Sequence, residues 1–500
     1  MTFKEQKNLW KVVYPDEYQL HMTVAPIDIN ETDKKVVYMD DLEKRKRAYG
    51  ICGECDEPGT GEEWCQPCNS KRFKENFKNW TSGNKDIDEL IQQSQINAIH
   101  YKRCIEWIPF ENFYDVTYIT RGGLGKIFSA KWPEGYIESW NIENEKWERW
   151  SNVMVALKSL DDSSGMSTEF VNEIKSHLQI HLWDIIQCYG ITQDPVTKDY
   201  MMVLKYCKDG NLRNFLNNSG KNMDYGDKIG FLSEIIRGLI DIHHAEKVHK
   251  DFHSGNILFN KAPYISDLGM CQPVNNGKQS IKQERVYGVL PYMAPEVLCG
   301  QQYTKAADIY SFGIVMNEFI SEETPYENVP NDHILAIAIC KGLRPEISKD
   351  TPKLLADLII KCWDANAENR PTAKEVHHIL KKLNREKFKP KSTIYSQIKG
   401  CEKIRKIKLS KEKPKINITH PQAVYTSRFL NFKNLPNPIN SSNLSLFQDG
   451  SGIIQLISKN IKEISISECY DCEIDKSKYV DCEIDKNEFN CIIVLTKPEN

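Results

Sequence analysis

The stretch that decides the fold of this chain is Val248–Leu258, which reads VHKDFHSGNIL. Asp251 and Asn256 stand five positions apart within it. An apolar pattern of helical period runs from Phe231 to His244 before the stretch, and three apolar residues follow Asn256. This arrangement predicts a helix, a polar loop and a short strand. Taken alone, this arrangement also fits an ordinary loop between a helix and a strand. Motifs elsewhere in the chain are needed to distinguish a functional loop from an ordinary one.

The size and composition of the chain are those of an ordinary globular protein. Its 500 residues are 40% hydrophobic and 27% charged, which suggests about two to four domains. The net charge of −3 gives no indication of specific nucleic-acid binding. Neither a signal peptide nor a run of about 18 apolar residues, the length of a membrane span, is apparent. The scattered cysteines then indicate reduced thiols, and we expect the cytoplasm, with the nucleus as the alternative.

Four cysteines near the N-terminus form two C-x-x-C pairs. Cys52 and Cys55 are followed, after nine residues that include glycine and proline, by Cys65 and Cys68. Two such pairs can supply four thiolates to one tetrahedral Zn²⁺, which predicts a structural zinc and a small module that docks a protein partner. Two other interpretations remain open, namely four unrelated thiols and a thioredoxin-like redox site. The redox site would need a βαβ frame around WCQPC.

Further motifs stand on both sides of Val248–Leu258 in a fixed order. Each is weak alone, since a glycine cluster after a strand is usually a turn and a single lysine on a strand is usually solvated. Together they span about 250 residues. In chain order they are TRGGLGKIF (120–128), VMVALK (153–158), Glu173 in a predicted helix, YMMVLKYC (200–207), ISDLG (265–269), APE (294–296), ADIYSFG (307–313) and ENRP (368–371).

This ordered set resembles the motifs of protein kinases. The resemblance implies an α+β, bilobal fold with a small β-rich N-lobe and a larger helical C-lobe. The segment 249–256, together with Cys362-Trp363-Asp364, is most similar to the tyrosine-kinase-like serine/threonine group. With the cysteine pairs in front, the layout also resembles a set of fungal kinases. The implied function is transfer of the γ-phosphate of ATP to serine or threonine hydroxyls of protein substrates, in intracellular signalling.

The resemblance assigns five residues to catalysis and to metal binding. Asp251 would orient the substrate hydroxyl and accept its proton, and Lys158 would contact the α- and β-phosphates. Glu173 would pair with Lys158 and hold it in place; Glu169, one turn earlier in the same predicted helix, is the neighbouring candidate. Asn256 and Asp267 would hold Mg²⁺.

The resemblance also assigns a nucleotide site and two structural pairs. Leu204 would be the gatekeeper, and backbone groups of Lys205 and Cys207 would bond the adenine edge. Asp308 would brace the catalytic loop, and Arg370 would pair with Glu296. The full set of expected ATP-binding residues is Ile119, Thr120, Gly122, Gly123, Gly125, Ile127, Ala156, Lys158, Leu204, Lys205 and Cys207.

Several positions depart from the usual kinase pattern. Thr120 replaces the first loop glycine, His253 stands where a lysine often helps to neutralise the γ-phosphate, and Val289 replaces a threonine near the base. Lys250 replaces an arginine that would receive an activation-loop phosphate through two parallel bonds. These departures keep open a nucleotide-binding pseudokinase or scaffold. A kinase of tyrosine or dual specificity is a further alternative.

The motifs and the composition divide the chain into six parts. The tail contains a strongly basic stretch, then an Asn/Ser/Pro-rich stretch, then two copies of DCEIDK, and its role is not indicated. The predicted parts are a poorly defined N-terminal segment (1–48), a zinc-knuckle module (49–70), a helical connector (71–111), a kinase domain (112–385), a disordered linker (386–460) and an acidic tail (461–500).

Overall fold

The computed structural model describes residues 8–12, 19–20, 36–121, 125–160, 167–180, 184–219, 223–274, 286–411 and 419–440. Within these ranges no helix is long and apolar enough to cross a membrane. The helices are α1 (Leu42–Tyr49), α2 (Gln66–Asn76), α3 (Lys85–Asn97), α4 (Thr168–Gln179), α5 (Leu212–Ser219), α6 (Tyr225–His244), α7 (Pro295–Leu298), α8 (Lys305–Ser321), α9 (His333–Cys340), α10 (Lys353–Cys362), α11 (Ala373–Glu386) and α12 (Thr393–Lys411).

Several of the strands contain only two residues. They are β1 (Leu9–Trp10), β2 (Gln19–Leu20), β3 (Val36–Val37), β4 (Gly50–Ile51), β5 (Glu106–Trp107), β6 (Tyr114–Arg121), β7 (Gly125–Trp132), β8 (Tyr136–Asn141), β9 (Lys146–Trp150), β10 (Val153–Leu160), β11 (Cys188–Gln193), β12 (Tyr200–Lys205), β13 (Lys247–Val248), β14 (Ile257–Asn260), β15 (Ala262–Ile265), β16 (Gln272–Pro273), β17 (Val286–Gly288) and β18 (Arg428–Leu430).

A six-stranded sheet forms the N-terminal lobe, with the order β5-β11-β12-β10-β7-β6. Its strands pair antiparallel except β5, which lies parallel to β11 at one edge. Alternate residues of β12 enter two different apolar clusters: Met201 and Val203 pack on one face of the sheet, and Met202 and Leu204 on the other. This period of two explains why the predicted strand YMMVLK is apolar throughout, since both of its faces are covered.

The second lobe is helical and is built around α6 and α8, whose residues are mostly buried. Thr304 caps α8 by accepting a hydrogen bond from the backbone N–H of Ala307, which begins the helix shortly before Asp308. Helix α11 packs along α6. A β-rich lobe followed by a helical lobe confirms the predicted α+β, bilobal fold.

The tryptophan-rich segment 136–150 forms the hairpin β8–β9. It supports the cysteine module: Trp147 stacks on Trp64 at 5.8 Å and on Phe73 of α2 at 4.7 Å between ring centroids. The guanidinium of Arg72 lies 4.2 Å from the ring centroid of Trp140. Stacked aromatic rings and a cation over a ring each add stabilisation beyond their buried area. The module is therefore packed against the first lobe.

The predicted linker 386–460 differs from the structure and needs correction. Residues Thr393–Lys411 form helix α12, in which the side chains of Ile394 and Ile398 are buried. Its Glu402 accepts a hydrogen bond from the N–H of Tyr225 at the start of α6. The basic composition concealed these buried residues, which are four positions apart and so lie on one helix face. Residues 419–440 also pack against the second lobe, as described below, and the predicted tail 461–500 lies outside the described residues.

Candidate active site

The loop after β13 is held by one buried carboxylate. Asp308, in the first turn of α8, accepts hydrogen bonds from the backbone N–H groups of His249 (2.8 Å) and Lys250 (3.1 Å). The ring of His243 lies 3.0 Å from the same carboxylate. With two successive N–H groups fixed, Lys250 adopts a left-handed conformation with φ of 70°. This brace, expected from the resemblance, fixes the backbone that leads into the next residue, Asp251.

Asp251 is buried and lies next to Asn256. The side-chain nitrogen of Asn256 donates to the backbone oxygen of Asp251 at 2.9 Å. That bond orients the amide so that its oxygen is the atom available to a hard metal ion such as Mg²⁺. The N–H of Asp251 donates to the ring of His249 at 3.3 Å, and the other ring nitrogen of His249 lies 3.2 Å from the carbonyl of Ser266.

Lys158, on β10, lies between two carboxylates. Its Nζ atom is 2.6 Å from Oε1 of Glu173 on α4 and 2.9 Å from Oδ1 of Asp267. Burial lowers the pKa of Lys158, but the carboxylates of Asp267 and Glu173 outweigh burial, so the pKa is raised and the amine stays charged. The alternative partner Glu169 is exposed in the first turn of α4 and does not take part in this pair.

The two carboxylates around Lys158 differ in their tendency to ionise. Burial raises the pKa of Glu173, and the attraction of Lys158 only partly offsets it. Burial also acts to raise the pKa of Asp267, but there Lys158 outweighs it and the pKa falls below its ordinary value. Asp267 has a left-handed backbone, with φ of 59°, and the next side chain, Leu268, is fully buried. The negative charge is therefore favoured on Asp267, the expected metal ligand.

Several residues of the expected nucleotide site lie close together where the first lobe meets the chain between the lobes. Ala156 and Leu204 face each other across β10 and β12. They share an apolar cluster with Cys207 and Leu258, the latter from β14 of the second lobe. Lys205 lies at the end of β12, where its N–H donates to the carbonyl of Gln187. Ala156, Leu204, Cys207 and Leu258 therefore lie together, and their part in binding ATP stays a prediction.

The glycine-rich segment is described only at its ends. Gly122 and Gly123 lie outside the described residues. Thr120 and Ile127 face each other across β6 and β7, and Ile119 is largely exposed. A Cβ atom on Gly125 would lie 1.8 Å from the carbonyl oxygen of Ser159, so glycine is required there by the pairing of β7 with β10.

A buried ion pair joins α7 to the segment between α10 and α11. Arg370 donates from two nitrogens to the two carboxylate oxygens of Glu296, at 2.6 and 2.7 Å. It also donates to the backbone carbonyls of Asp364 (2.8 Å) and Ala306 (3.0 Å). Such a bidentate pair has a fixed geometry, which positions α7 against the rest of the lobe.

The four cysteines of the N-terminal pairs converge. Their Sγ atoms all lie within 4.8 Å of one another, with Cys52 3.9 Å from Cys68 and Cys55 3.6 Å from Cys65. A tetrahedral ion with Zn–S bonds of about 2.3 Å needs sulfurs about 3.8 Å apart. Cys65 directly precedes α2 and Cys68 lies in its first turn. The donor set and its spacing therefore fit Zn²⁺.

Sequence reasoning missed a serine that contacts Asp251. Ser427, in the stretch predicted as a linker, donates from Oγ to Oδ2 of Asp251 at 2.6 Å. Ser427 directly precedes β18, which pairs antiparallel with β17. The run Tyr425–Leu430 contains aromatic and β-branched residues, a weak indication of a strand. The sequence does not indicate that this run pairs with β17 or contacts Asp251.

Comparisons with known proteins agree with this arrangement. A family model described as protein tyrosine and serine/threonine kinase matches residues 116–380. A probable LIM domain-containing serine/threonine-protein kinase of Dictyostelium discoideum is 32% identical over 199 residues, which cover 39% of this chain and 30% of that protein.

Two further relatives match a longer part of the chain. A tyrosine-protein kinase of Girardia tigrina is 26% identical over 272 residues, 52% of this chain and 51% of that protein. The serine/threonine-protein kinase VIK of Arabidopsis thaliana is 28% identical over 294 residues, 56% of this chain and 63% of that protein. The chain thus spans less than two thirds of the length of each of these relatives.

Proposed function

Because this chain belongs to the protein tyrosine and serine/threonine kinase family, we propose that it transfers the γ-phosphoryl group of ATP to serine or threonine hydroxyls of protein substrates. The observation that carries the proposal is the position of Lys158 between Glu173 and Asp267, across the cleft from the braced Asp251 loop. Phosphoryl transfer depends mainly on positioning and on charge stabilisation, and these residue types supply both.

Each residue in this arrangement has a proposed role. Lys158 binds the α- and β-phosphates, and Glu173 keeps its ammonium group oriented. Asn256 and Asp267 hold Mg²⁺, which when bound neutralises charge on the phosphate oxygens. Asp251 orients the acceptor hydroxyl and takes its proton as the oxygen attacks phosphorus.

Two alternatives remain as outcomes of experiment. His253 and Val289, at positions where kinases usually have a lysine and a threonine, motivate a nucleotide-binding scaffold without activity. The tyrosine-protein kinase among the relatives motivates tyrosine or dual specificity. The sequence of segment 249–256 and Cys362-Trp363-Asp364 favours the tyrosine-kinase-like serine/threonine group, of the type that carries a cysteine module in fungi.

The test is an assay with radiolabelled ATP, Mg²⁺ and myelin basic protein, followed by phosphoamino-acid analysis. The full chain is expected to yield phosphoserine and phosphothreonine, and a Lys158→Met variant to yield none. Phosphotyrosine alone would refute the specificity. If the wild-type chain gave no product while it still bound ATP, the scaffold would replace the kinase.

The cysteine cluster supports a second, structural proposal. Cys52, Cys55, Cys65 and Cys68 hold one Zn²⁺ that closes the module and takes no part in chemistry, because four thiolates leave no open position. The convergence of all four sulfurs favours a metal over an isolated redox pair. The metal supplies folding free energy to a segment with little core of its own.

The remaining expectations about the cell are proposals as well. We place the protein in the cytoplasm, with the nucleus as the alternative, and in intracellular signalling. The exposed side of the cysteine module is its proposed docking surface for a protein partner. The kinase domain is proposed to span residues 112–385. Fractionation of cells that express the tagged full chain tests the compartment.

A further inference from the structure

A segment beyond the kinase domain lies in the cleft in front of Asp251. Strand β18 pairs antiparallel with β17, so that Arg428 faces Gly288, Phe429 faces Tyr287 and Leu430 faces Val286. Strand β17 leads directly into Val289 and the turn 290–292, beside the catalytic loop. A strand added to an exposed edge is a common way of binding an extended peptide, with backbone bonds for affinity and alternate side chains for specificity.

The hydroxyl of Ser427 has two partners at the end of this strand. It donates to Oδ2 of Asp251 at 2.6 Å, and its oxygen lies 3.1 Å from Nε2 of His253. The N–H of Gly255 donates to Nδ1 of His253 at 3.1 Å, so in the neutral ring the proton is on Nε2 and points at Ser427. The serine proton is thus directed at the expected base, and one lone pair of its oxygen remains for another bond.

Contacts before the serine fix its register. The hydroxyl of Tyr425 donates to the carbonyl of Pro325 at 2.7 Å, and the guanidinium of Arg213 lies 3.9 Å from the centroid of the Tyr425 ring. Asn331 binds the segment twice, by its N–H to the carbonyl of Gln422 and by its side chain to the carbonyl of Val424.

Contacts after the serine continue along the second lobe. Leu430 is buried, and Arg428 donates to the carbonyl of Asn331 at 2.8 Å. Further on, the N–H of Ile439 donates to the carbonyl of Cys340 at the end of α9. The serine is therefore positioned by specific contacts on both sides, which a loop placed there by chance would lack.

We propose that Ser427 is an autophosphorylation site that this chain modifies within its own cleft, and that the segment 420–440 occupies the groove for protein substrates. This inference rests on the proposed function. In the reaction the Oγ–P bond forms, the bond from the γ-phosphorus to the bridging oxygen breaks, ADP leaves with that electron pair, and Asp251 takes the serine proton. ATP is the only co-reactant.

The proposal also defines the substrate class. An acceptor serine is taken in an extended strand, with an aromatic residue two positions before it, as in Tyr425, and an apolar residue three positions after it, as in Leu430. Since the segment fills the same groove, it competes with other substrates until it is released.

The direct test is mass-spectrometric mapping of phosphate after the purified full chain is incubated with ATP and Mg²⁺, with myelin basic protein present as an independent substrate. Phosphate is expected at residue 427, with a first-order rate constant that does not change over a tenfold range of enzyme concentration. Ser427→Ala removes this phosphate. Thr426→Ala, which changes the neighbouring exposed hydroxyl, is the matched control and keeps it.

The outcomes of this test separate the two proposals. If myelin basic protein is labelled and residue 427 is not, the inference is wrong and the proposed kinase function stands. A rate at residue 427 proportional to enzyme concentration would show modification by another molecule and would also overturn the inference. Labelling of neither protein would refute the kinase function itself.

A second measurement addresses the groove independently of phosphate at residue 427. Leu430→Asp places a charge at a buried position and should detach β18, because burying an unpaired charge is costly. If the segment fills the groove in about 90% of molecules, its release lowers the KM for myelin basic protein about tenfold. Thr426→Asp adds the same charge at an exposed position and is the control. An unchanged KM in Leu430→Asp would contradict occupation of the groove.

Discussion

Replacement of Glu173 by glutamine changes the charge beside Lys158 while it keeps the shape of the side chain. The ammonium of Lys158 lies 2.6 Å from Glu173 and 2.9 Å from Asp267, and both Lys158 and Glu173 are buried. Glutamine can still accept a hydrogen bond through its amide oxygen. It cannot oppose Asp267 as a charged partner, so the lysine is drawn toward Asp267 and away from the position that would contact the phosphates.

The expected size of the effect follows from this geometry. A hydrogen bond to a charged group contributes about 1.5–3 kcal/mol, and a neutral partner gives roughly half of that. The loss is then about 0.8–1.5 kcal/mol. At about 1.4 kcal/mol for each factor of ten, kcat/KM for ATP falls about four- to twelvefold.

The assay is initial-rate kinetics against ATP at a fixed, saturating concentration of protein substrate. Glu169→Gln is the matched control, since it makes the same chemical change one turn earlier in α4 at an exposed position. Its kcat/KM is expected to stay within about twofold of wild type. Equal losses in both variants, or no loss in Glu173→Gln, would refute the role assigned to the pair.

Three further predictions concern the stability of the fold. Arg370→Met leaves Glu296 buried without its partner, so the free energy of unfolding is expected to fall by about 3–5 kcal/mol in denaturant titration, with the exposed Arg385→Met as control. A loss below 1 kcal/mol would contradict this account. Elemental analysis of wild-type protein purified without added metal should give one zinc per chain, and Cys65→Ser should remove it. Cys104→Ser changes a buried cysteine outside the cluster and should retain the zinc. A folded, metal-free wild-type module would disprove the site. Burial lowers the pKa of His177 and the pKa of His377 to about 4. As the pH falls, these histidines are therefore protonated in the unfolded chain before they are protonated in the folded chain. The free energy of unfolding should then decrease as the pH drops from about 6.5 to about 4. Melting temperatures across this range should decline less in His377→Gln, and identical profiles would exclude the contribution of that histidine.

The sequence predicted the parts of the site that depend on spacing along the chain. The two-lobed fold follows from strands before Lys158 and helices after Asp251. The structure brings Lys158 to Glu173 and Asp308 to the loop of Asp251, because each pair is fixed by the packing of elements that the patterns already located. The sequence does not show which of Glu169 and Glu173 pairs with Lys158, because the two glutamates lie one turn apart in α4. The structure distinguishes them, since Glu173 is buried and Glu169 is exposed.

Other features depend on contacts that sequence patterns do not record. The sequence pattern of β8 and β9 does not indicate that Trp147 packs against Trp64 and Phe73. The position of Ser427 beside Asp251 joins residues 176 apart, through a strand of only three residues. A pairing so short and so distant leaves no periodic pattern, and the surrounding asparagines and prolines favoured a linker.

The central claim is that Asp251 serves as the base in phosphoryl transfer to a hydroxyl. Asp251→Asn removes the base and keeps nearly the same side-chain shape, so the decisive measurement is the rate of phosphate transfer to myelin basic protein at saturating ATP and Mg²⁺. Binding of a fluorescent ATP analogue is measured in parallel. The variant is expected to lose about a hundredfold or more in rate, while its affinity for the analogue stays within about twofold of wild type. Transfer at the wild-type rate by Asp251→Asn would contradict the claim.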